Sequence, residues 1–154
     1  MQVPRLPMAF DKNRSAGYLI NHLARIFAQA LAGRIKPVGL VPGQFPVLLA
    51  LWQEEGLTQR ELVERLDVEQ ATMANTLGRM ERDGLIVRRP HPQDRRAQSI
   101  RLTTHARALQ EPATAAASEV NRQMLAVLAK DEREQFVAIM SKVIAAARPS
   151  IAQR

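Results

Sequence analysis

Leu85-Ile86-Val87-Arg88-Arg89-Pro90-His91-Pro92-Gln93-Asp94-Arg95-Arg96-Ala97-Gln98-Ser99-Ile100-Arg101-Leu102-Thr103 is the stretch whose reading decides the fold. Two short segments able to alternate, residues 85–88 and 98–102, flank a loop that holds Pro90, Pro92, Gln93 and Asp94, the pattern of a β-hairpin. From Arg88 through Arg101 there are five arginines (88, 89, 95, 96 and 101) against the single acid Asp94, so the segment carries net +4 (5 − 1). Arginine suits phosphate forks and narrow grooves. The hairpin therefore reads as a contact for a polyanion.

Immediately upstream, Thr58-Gln59-Arg60-Glu61 has the form of a capping box, in which the Thr58 oxygen accepts a backbone N–H and Glu61 reaches back. A helix of about two turns is expected to follow, buried by Leu62, Val63 and Leu66. Asp67-Val68-Glu69 then turns into a second helix from about Gln70 to Asp83, closed by Gly84 as a left-handed residue. Helix, short turn, helix is the spacing of a helix-turn-helix. In its second helix Met73, Leu77 and Met80 form the inner face, leaving Gln70, Thr72, Asn75, Thr76, Arg79 and Arg82 outside. Amide and hydroxyl side chains near a helix start can reach base edges, and arginines a turn or two on suit phosphates.

Apolar residues Leu19, Ile20, Leu23, Ile26, Phe27, Ala30 and Leu31 predict an amphipathic helix from Ser15 to about Ile35. A short helix over Gln44–Glu55 should turn Phe45, Leu48, Leu49 and Trp52 inward. Beyond the hairpin, Thr103 is an N-cap for a long helix through Leu128, kinked or delayed by Pro112. Asp131 and Glu134 offer a capping pair for a last helix whose end Pro149 marks. The expected division is an N-terminal arm and dimerisation helix at 1–41, a DNA-binding unit at 42–103, and C-terminal dimerisation helices at 104–154. The fold class is mainly α with a small β-hairpin wing. Two long apolar faces separated in sequence suit a bundle completed by a second copy.

A chain of 154 residues supports one domain or two small subdomains sharing a core. A formal charge of +7 favours polyanionic partners. The longest apolar run, Phe45 to Trp52, is interrupted by Pro46 and falls far short of the roughly 20 residues of a membrane span. Met1–Phe10, with two prolines and one cation, lacks the apolar core of a secretory signal, so a soluble cytoplasmic protein is expected. The absence of cysteine excludes thiolate zinc sites and thiol redox switches. With aromatics at 4%, base-stacking platforms are poorly supported, and double-stranded DNA is the better target. Ser15, Ser99, Ser118 and Ser141 have no local His or acid pattern, and no Gly-rich phosphate loop or metal-binding doublet occurs. Neither an enzyme nor a cofactor is expected.

Taken in order, Gln44-Phe45, Gly56-Leu57-Thr58-Gln59-Arg60-Glu61-Leu62, Met80-Glu81-Arg82-Asp83-Gly84-Leu85-Ile86, and Asp94-Arg95-Arg96 through Leu102-Thr103 resemble a MarR-family winged helix-turn-helix regulator. The resemblance spans residues 44–103; the terminal helices match in length and pattern. It implies a homodimer paired through those terminal helices, with each recognition helix in a major groove and each wing in a minor groove. Arg96 would insert, Asp94 would brace the wing by pairing with an arginine, and Arg95 and Arg88 or Arg89 would serve phosphates or strand packing. Thr58, Arg60, Gln70, Thr72, Asn75, Thr76 and Arg79 complete the expected DNA contacts. The chain departs from the family with Ala106 in place of a usual glycine, and with Ala74 and Asn75 where many members carry Ser or Arg.

The resemblance further implies a repressor, acting on a pseudo-palindromic operator and released by a small organic effector such as an aromatic acid or phenolic. His22, Ile26, Phe45 and Trp52 are the expected pocket walls. Two alternatives stand beside it: a winged-helix module that binds protein, and a metal-responsive regulator using His and carboxylates of the first and fifth helices. His22, His91 and His105 are scattered, and no metal ligand is assigned.

Overall fold

A computed structural model describes residues 9–152; the proposed N-terminal arm therefore lies largely outside the described residues. Helix α1 (Ala16–Ile35) starts where the Ser15 hydroxyl accepts from the Tyr18 amide at 3.3 Å. Two short 3-10 turns, Lys36–Val38 and Pro42–Gln44, lead into α2 (Phe45–Gln53). Helices α3 (Gln59–Leu66) and α4 (Gln70–Arg82) follow, then the hairpin of β1 (Ile86–Pro90) and β2 (Gln98–Leu102). The chain ends in α5 (Thr104–Ala108), α6 (Gln110–Met124) and α7 (Lys130–Ala152). No single helix among the described residues is long and apolar enough to cross a membrane.

The core forms where the helix-turn-helix meets the hairpin. Leu48 and Leu51 of α2, Leu62 of α3, Met73, Leu77 and Met80 of α4, and Ile86 and Ile100 of the strands are essentially inaccessible. The α4 spacing places its three apolar residues on one face, as expected. Helix α4 ends in a Schellman arrangement: Gly84, at φ 70°, donates to Glu81 O at 3.2 Å, and Leu85 donates to Met80 O at 2.9 Å. The turn between α3 and α4 passes through Asp67 in the left-handed region, at φ 52°. Gln44, buried, donates to Asp83 Oδ2 at 2.7 Å and so ties the entry of α2 to the exit of α4.

Antiparallel register pairs Ile86 with Leu102, Arg88 with Ile100 and Pro90 with Gln98. A third, one-residue strand is added by Leu57, which bridges Ile100; Gly56 N–H donates to Ile100 O at 2.9 Å, and Ile100 N–H donates to Leu57 O at 2.8 Å. Gly56 takes φ 84°, and a Cβ there would lie 3.3 Å from Ser99 Oγ. Read as a simple helix stop, Gly56 gives no hint of this pairing. Pro90 closes β1 rather than lying in the loop, which an edge strand tolerates because no donor is required there.

Other boundaries are corrected as well. Gln44 belongs to the preceding 3-10 turn, and α2 stops at Gln53; Leu49, expected inside, is 39% exposed. Thr103 does cap a helix, accepting from Ala106 N at 3.1 Å while donating to Gly84 O at 2.6 Å, but that helix is the short α5. A new helix begins at Gln110, with Pro112 in its first turn where a missing N–H costs nothing. Residue 106 is helical and fully buried, so alanine there is accommodated. The last helix is opened by Glu132, which accepts from Ala129 N at 2.8 Å, not by an Asp131/Glu134 pair. It continues through Pro149, since a proline near a helix end removes only one backbone bond.

Glu55 links three elements. Its Oε1 accepts from Leu102 N at 2.9 Å and Arg107 Nη2 at 2.7 Å, while its Oε2 accepts from Arg107 Nε at 3.2 Å. The Arg107 hydrogen bonds, aided by the Leu102 amide, hold the Glu55 carboxyl below the ordinary 4.5. Glu61 is lowered too, first by the Thr58 N–H that closes the capping box at 2.7 Å. Because both values are depressed in the folded chain, their stabilisation is complete above the unfolded value and is lost as pH falls through the folded values. Glu55→Gln is expected to be about 1 kcal/mol less stable at neutral pH, with a shallower acid-side loss than the wild type; urea titrations across pH 3–7 check both.

Candidate nucleic-acid interface

Helix α4 is aimed by its buried Met73, Leu77 and Met80, which leave Gln70, Thr72, Asn75, Arg79 and Arg82 exposed on the opposite side. Thr76 is half-buried, and its hydroxyl donates back to Thr72 O at 2.9 Å. Gln70 accepts from Gln59 Nε2 at 3.3 Å, which orients its amide from the start of α3. Ala74, Asn75, Gly78, Arg79 and Arg82 line a shallow concavity along the helix. Its floor is alanine and glycine, and its rim carries an amide and two guanidinium groups.

The hairpin loop projects Asp94, Arg95 and Arg96 into solvent. Asp94 Oδ1 accepts from the Arg96 backbone N–H at 2.9 Å, and Ala97 N–H donates to Asp94 O at 3.1 Å. Asp94 thus braces the loop through a backbone amide, where an arginine side chain was expected; among the described residues it forms no ion pair.

The cations divide into two groups. Arg88 pairs with Glu81 at 3.2 Å and is three-quarters covered, so it ties β1 to α4. Arg60 pairs with Glu64 at 3.0 Å, one turn away on a solvated face, an interaction of about 0.3–0.5 kcal/mol that a phosphate would displace readily. Arg79, Arg82, Arg89, Arg95 and Arg96 have no carboxylate partner within 4.0 Å among the described residues. Thr58, expected as a contact, spends its hydroxyl in the cap: it accepts from Glu61 N at 3.2 Å and donates to Glu61 Oε2 at 3.1 Å. Sequence reasoning leaves out Gln59, whose role needs the α3–α4 juxtaposition. Arg82 on the outer face of α4 and Arg89 of the hairpin, both read from sequence as suited to phosphates, are exposed.

A separate cavity of about 480 Å3 opens between α1, α2 and α6, lined by Phe27, Leu31, Phe45, Leu49, Ala117 and Val120 among others. Of the four pocket residues expected from sequence, Phe45 lines it. Trp52 instead donates to Ala106 O at 3.0 Å, tying α2 to α5, with its ring edge-on to Phe45 at 6.2 Å. His22 is exposed beside Tyr18, and Ile26 is 39% exposed. No group of three or more His, Asp or Glu side chains among the described residues could hold a metal ion.

An HTH-type transcriptional regulator of Bacillus subtilis (strain 168), YwoH, is 30% identical over 124 residues, covering 80% of this chain and 90% of that protein. The chain belongs to the MarR family. The family's own profile matches residues 40–97, the helix-turn-helix and most of the hairpin. Two solved structures share the fold: a mutant MarR from E. coli complexed with operator DNA (TM-score 0.80, 24% identity, 89% of this chain and 99% of that one), and a MarR-family regulator from Listeria monocytogenes complexed with 26mer DNA (TM-score 0.81, 19% identity, 90% and 93%). MarR proteins are transcriptional regulators, not enzymes, and the mainly helical winged architecture expected from the sequence is the one observed.

In this MarR-family chain Gly78 sits inside α4 with nothing within 4 Å of where a Cβ would stand. Glycine in a helix interior costs about 1 kcal/mol relative to alanine. Gly78→Ala is expected to stabilise the fold by about 0.5–1 kcal/mol, read as a higher urea midpoint with unchanged slope.

Proposed function

We propose that the chain is a homodimeric repressor that reads a pseudo-palindromic operator in double-stranded DNA and is released by a small organic effector. The observation that carries this reading is the set of uncompensated arginines, Arg79 and Arg82 on α4 and Arg89, Arg95 and Arg96 on the hairpin, flanking the exposed Thr72 and Asn75. Cations without carboxylate partners need no bridge broken before meeting phosphate, and each releases counterions from the duplex. The DNA complexes of the E. coli and L. monocytogenes relatives support it. Gln70, Thr72, Asn75 and Thr76 read bases, Arg79 and Arg95 hold phosphates, and Arg96 enters the minor groove. Arg88 positions the wing from behind. In this reading residues 42–103 form the DNA-binding unit, while 1–41 and 104–154 form one intertwined dimerisation unit.

Dimerisation is supported by the apolar surface on the terminal helices. Leu19 and Ile20 of α1 and Val137, Ile139, Val143 and Ile144 of α7 are 46–60% exposed, a density of large apolar side chains that monomeric surfaces seldom leave uncovered. Two-fold pairing sets two recognition helices about 34 Å apart, one DNA turn. The cavity between α1, α2 and α6 lies where these helices join the reading head, and its apolar walls suit an aromatic acid or phenol. An occupant there changes the helix spacing and loosens the complex.

Three measurements test this. Arg96→Ala is expected to weaken binding to a duplex selected from random DNA by about tenfold or more, with the wild-type affinity falling steeply between low and physiological salt; an unchanged gel shift removes the wing contact. Sedimentation is expected to give a dimer at micromolar concentration, and a stable monomer removes the palindromic site. Ala117→Phe, which fills the cavity, is expected to act as a built-in occupant: DNA binding is weakened without effector, and an aromatic acid that dissociates the wild-type complex has no further effect.

A further inference from the structure

The hairpin loop contains one side chain the DNA-binding reading does not use. His91 is half-buried at the base of the loop, and its Nδ1 accepts from two successive backbone amides, Gln93 N and Asp94 N, each at 3.2 Å. Its backbone N–H donates to Ala97 O at 3.1 Å, closing the loop across its base. Asp94, held by the imidazole, in turn accepts from the Arg96 amide at 2.9 Å. The order of support runs from the ring to the Asp94 backbone, from the Asp94 carboxylate to the Arg96 backbone, and so to the guanidinium in solvent. On the other side His91 lies close to the Glu61 carboxylate of α3.

An imidazole nitrogen that receives N–H donors carries no proton of its own, so Nδ1 serves here as the acceptor. Few side chains can take this place. Alanine or phenylalanine offers no acceptor, while asparagine carries an oxygen on Cγ where histidine carries Nδ1. The amides served are in an exposed loop, so water replaces the ring when the acceptor is removed, and folding is little affected. What is lost is the restriction of the loop to one conformation, and an unrestricted arginine must be ordered again when it binds.

We infer that His91 is a positioning residue of the wing, presenting Arg96 through the Nδ1–amide and Asp94–amide hydrogen bonds. This rests on the proposed role of Arg96 in DNA binding, and the test separates the two. The full-length protein is titrated, by fluorescence anisotropy, into a labelled duplex recovered by selection from random DNA on the wild type. His91→Phe is expected to bind roughly tenfold more weakly, His91→Asn within about twofold of wild type, and His91→Phe to add no loss in an Arg96→Ala background. In the DNA-free protein, hydrogen exchange at the Gln93 and Asp94 amides is expected to be slow in the wild type and in His91→Asn and fast in His91→Phe, with an unchanged far-ultraviolet spectrum. Full affinity in His91→Phe while Arg96→Ala is weakened overturns the inference and leaves the wing contact standing. An Asn variant as weak as the Phe variant, or losses that add to Arg96→Ala, overturns it too, because the ring then acts otherwise than as an acceptor serving Arg96. If Arg96→Ala binds as well as wild type, the wing contact and the inference fall together.

Discussion

The wing depends on the backbone pairing of Ile100 with the Gly56–Leu57 segment, which anchors the hairpin to the link between α2 and α3. Ile100 pairs with β1 on one side and exchanges hydrogen bonds with Gly56 and Leu57 on the other, while its side chain is fully buried. The link between α2 and α3 is thereby stitched to the centre of β2. Glu55, one residue earlier, reinforces it by accepting from Leu102 N and pairing with Arg107. Thr103 and Gln44 hold the exit of α4 from two directions, through Gly84 O and Asp83. The hairpin is thus fastened to the link between α2 and α3, and the exit of α4 to Gln44 and Thr103.

Charge is distributed around that body in two ways. Arginines that face neighbouring elements are spent on structure: Arg88 on Glu81, Arg107 on Glu55, Arg65 on Glu54 and Arg148 on Asp67. Among the described residues, Arg79 and Arg82 on the outer side of α4 and Arg89, Arg95 and Arg96 on the hairpin are left unpaired. Arg101 of β2 likewise has no ion pair among the described residues, so both α4 and the hairpin carry uncompensated positive charge. Arg148 stands apart in location: from α7 it reaches the α3–α4 turn, donating to Glu64 O at 2.7 Å, and brings a terminal helix into contact with the reading head.

Local elements are legible from sequence where a single short-range rule decides them. The Thr58/Glu61 box, the Gly84 stop, the Met73–Leu77–Met80 face and the alternation around Ile86 and Ile100 each depend on residues a few positions apart. Legibility fails where partners are distant in the chain. Nothing near Gly56 announces that its N–H will meet Ile100 on the far side of the helix-turn-helix, and nothing near Gln44 announces Asp83. Pro112 announces an interruption of the helix after Thr103, and the structure places it at Leu109, with Pro112 in the first turn of α6. Spacing points Leu49 and Trp52 inward alike, yet α2 turns Leu49 to a cavity wall and Trp52 to Ala106.

The sequence by itself determined the class of the protein: the order of capped helices, turn and basic hairpin, the absence of thiol chemistry, and the outer face of the recognition helix. These follow from periodicity, capping and composition, which act over one or two turns. Only the tertiary structure decided which arginines are free and which are consumed, that Asp94 holds a backbone amide rather than a guanidinium, and that the His91 ring accepts from the loop amides beneath the wing tip. Those outcomes depend on which groups come within about 3 Å of one another after the chain has folded, and hydrogen bonds and ion pairs at that range are set by packing between elements far apart in sequence.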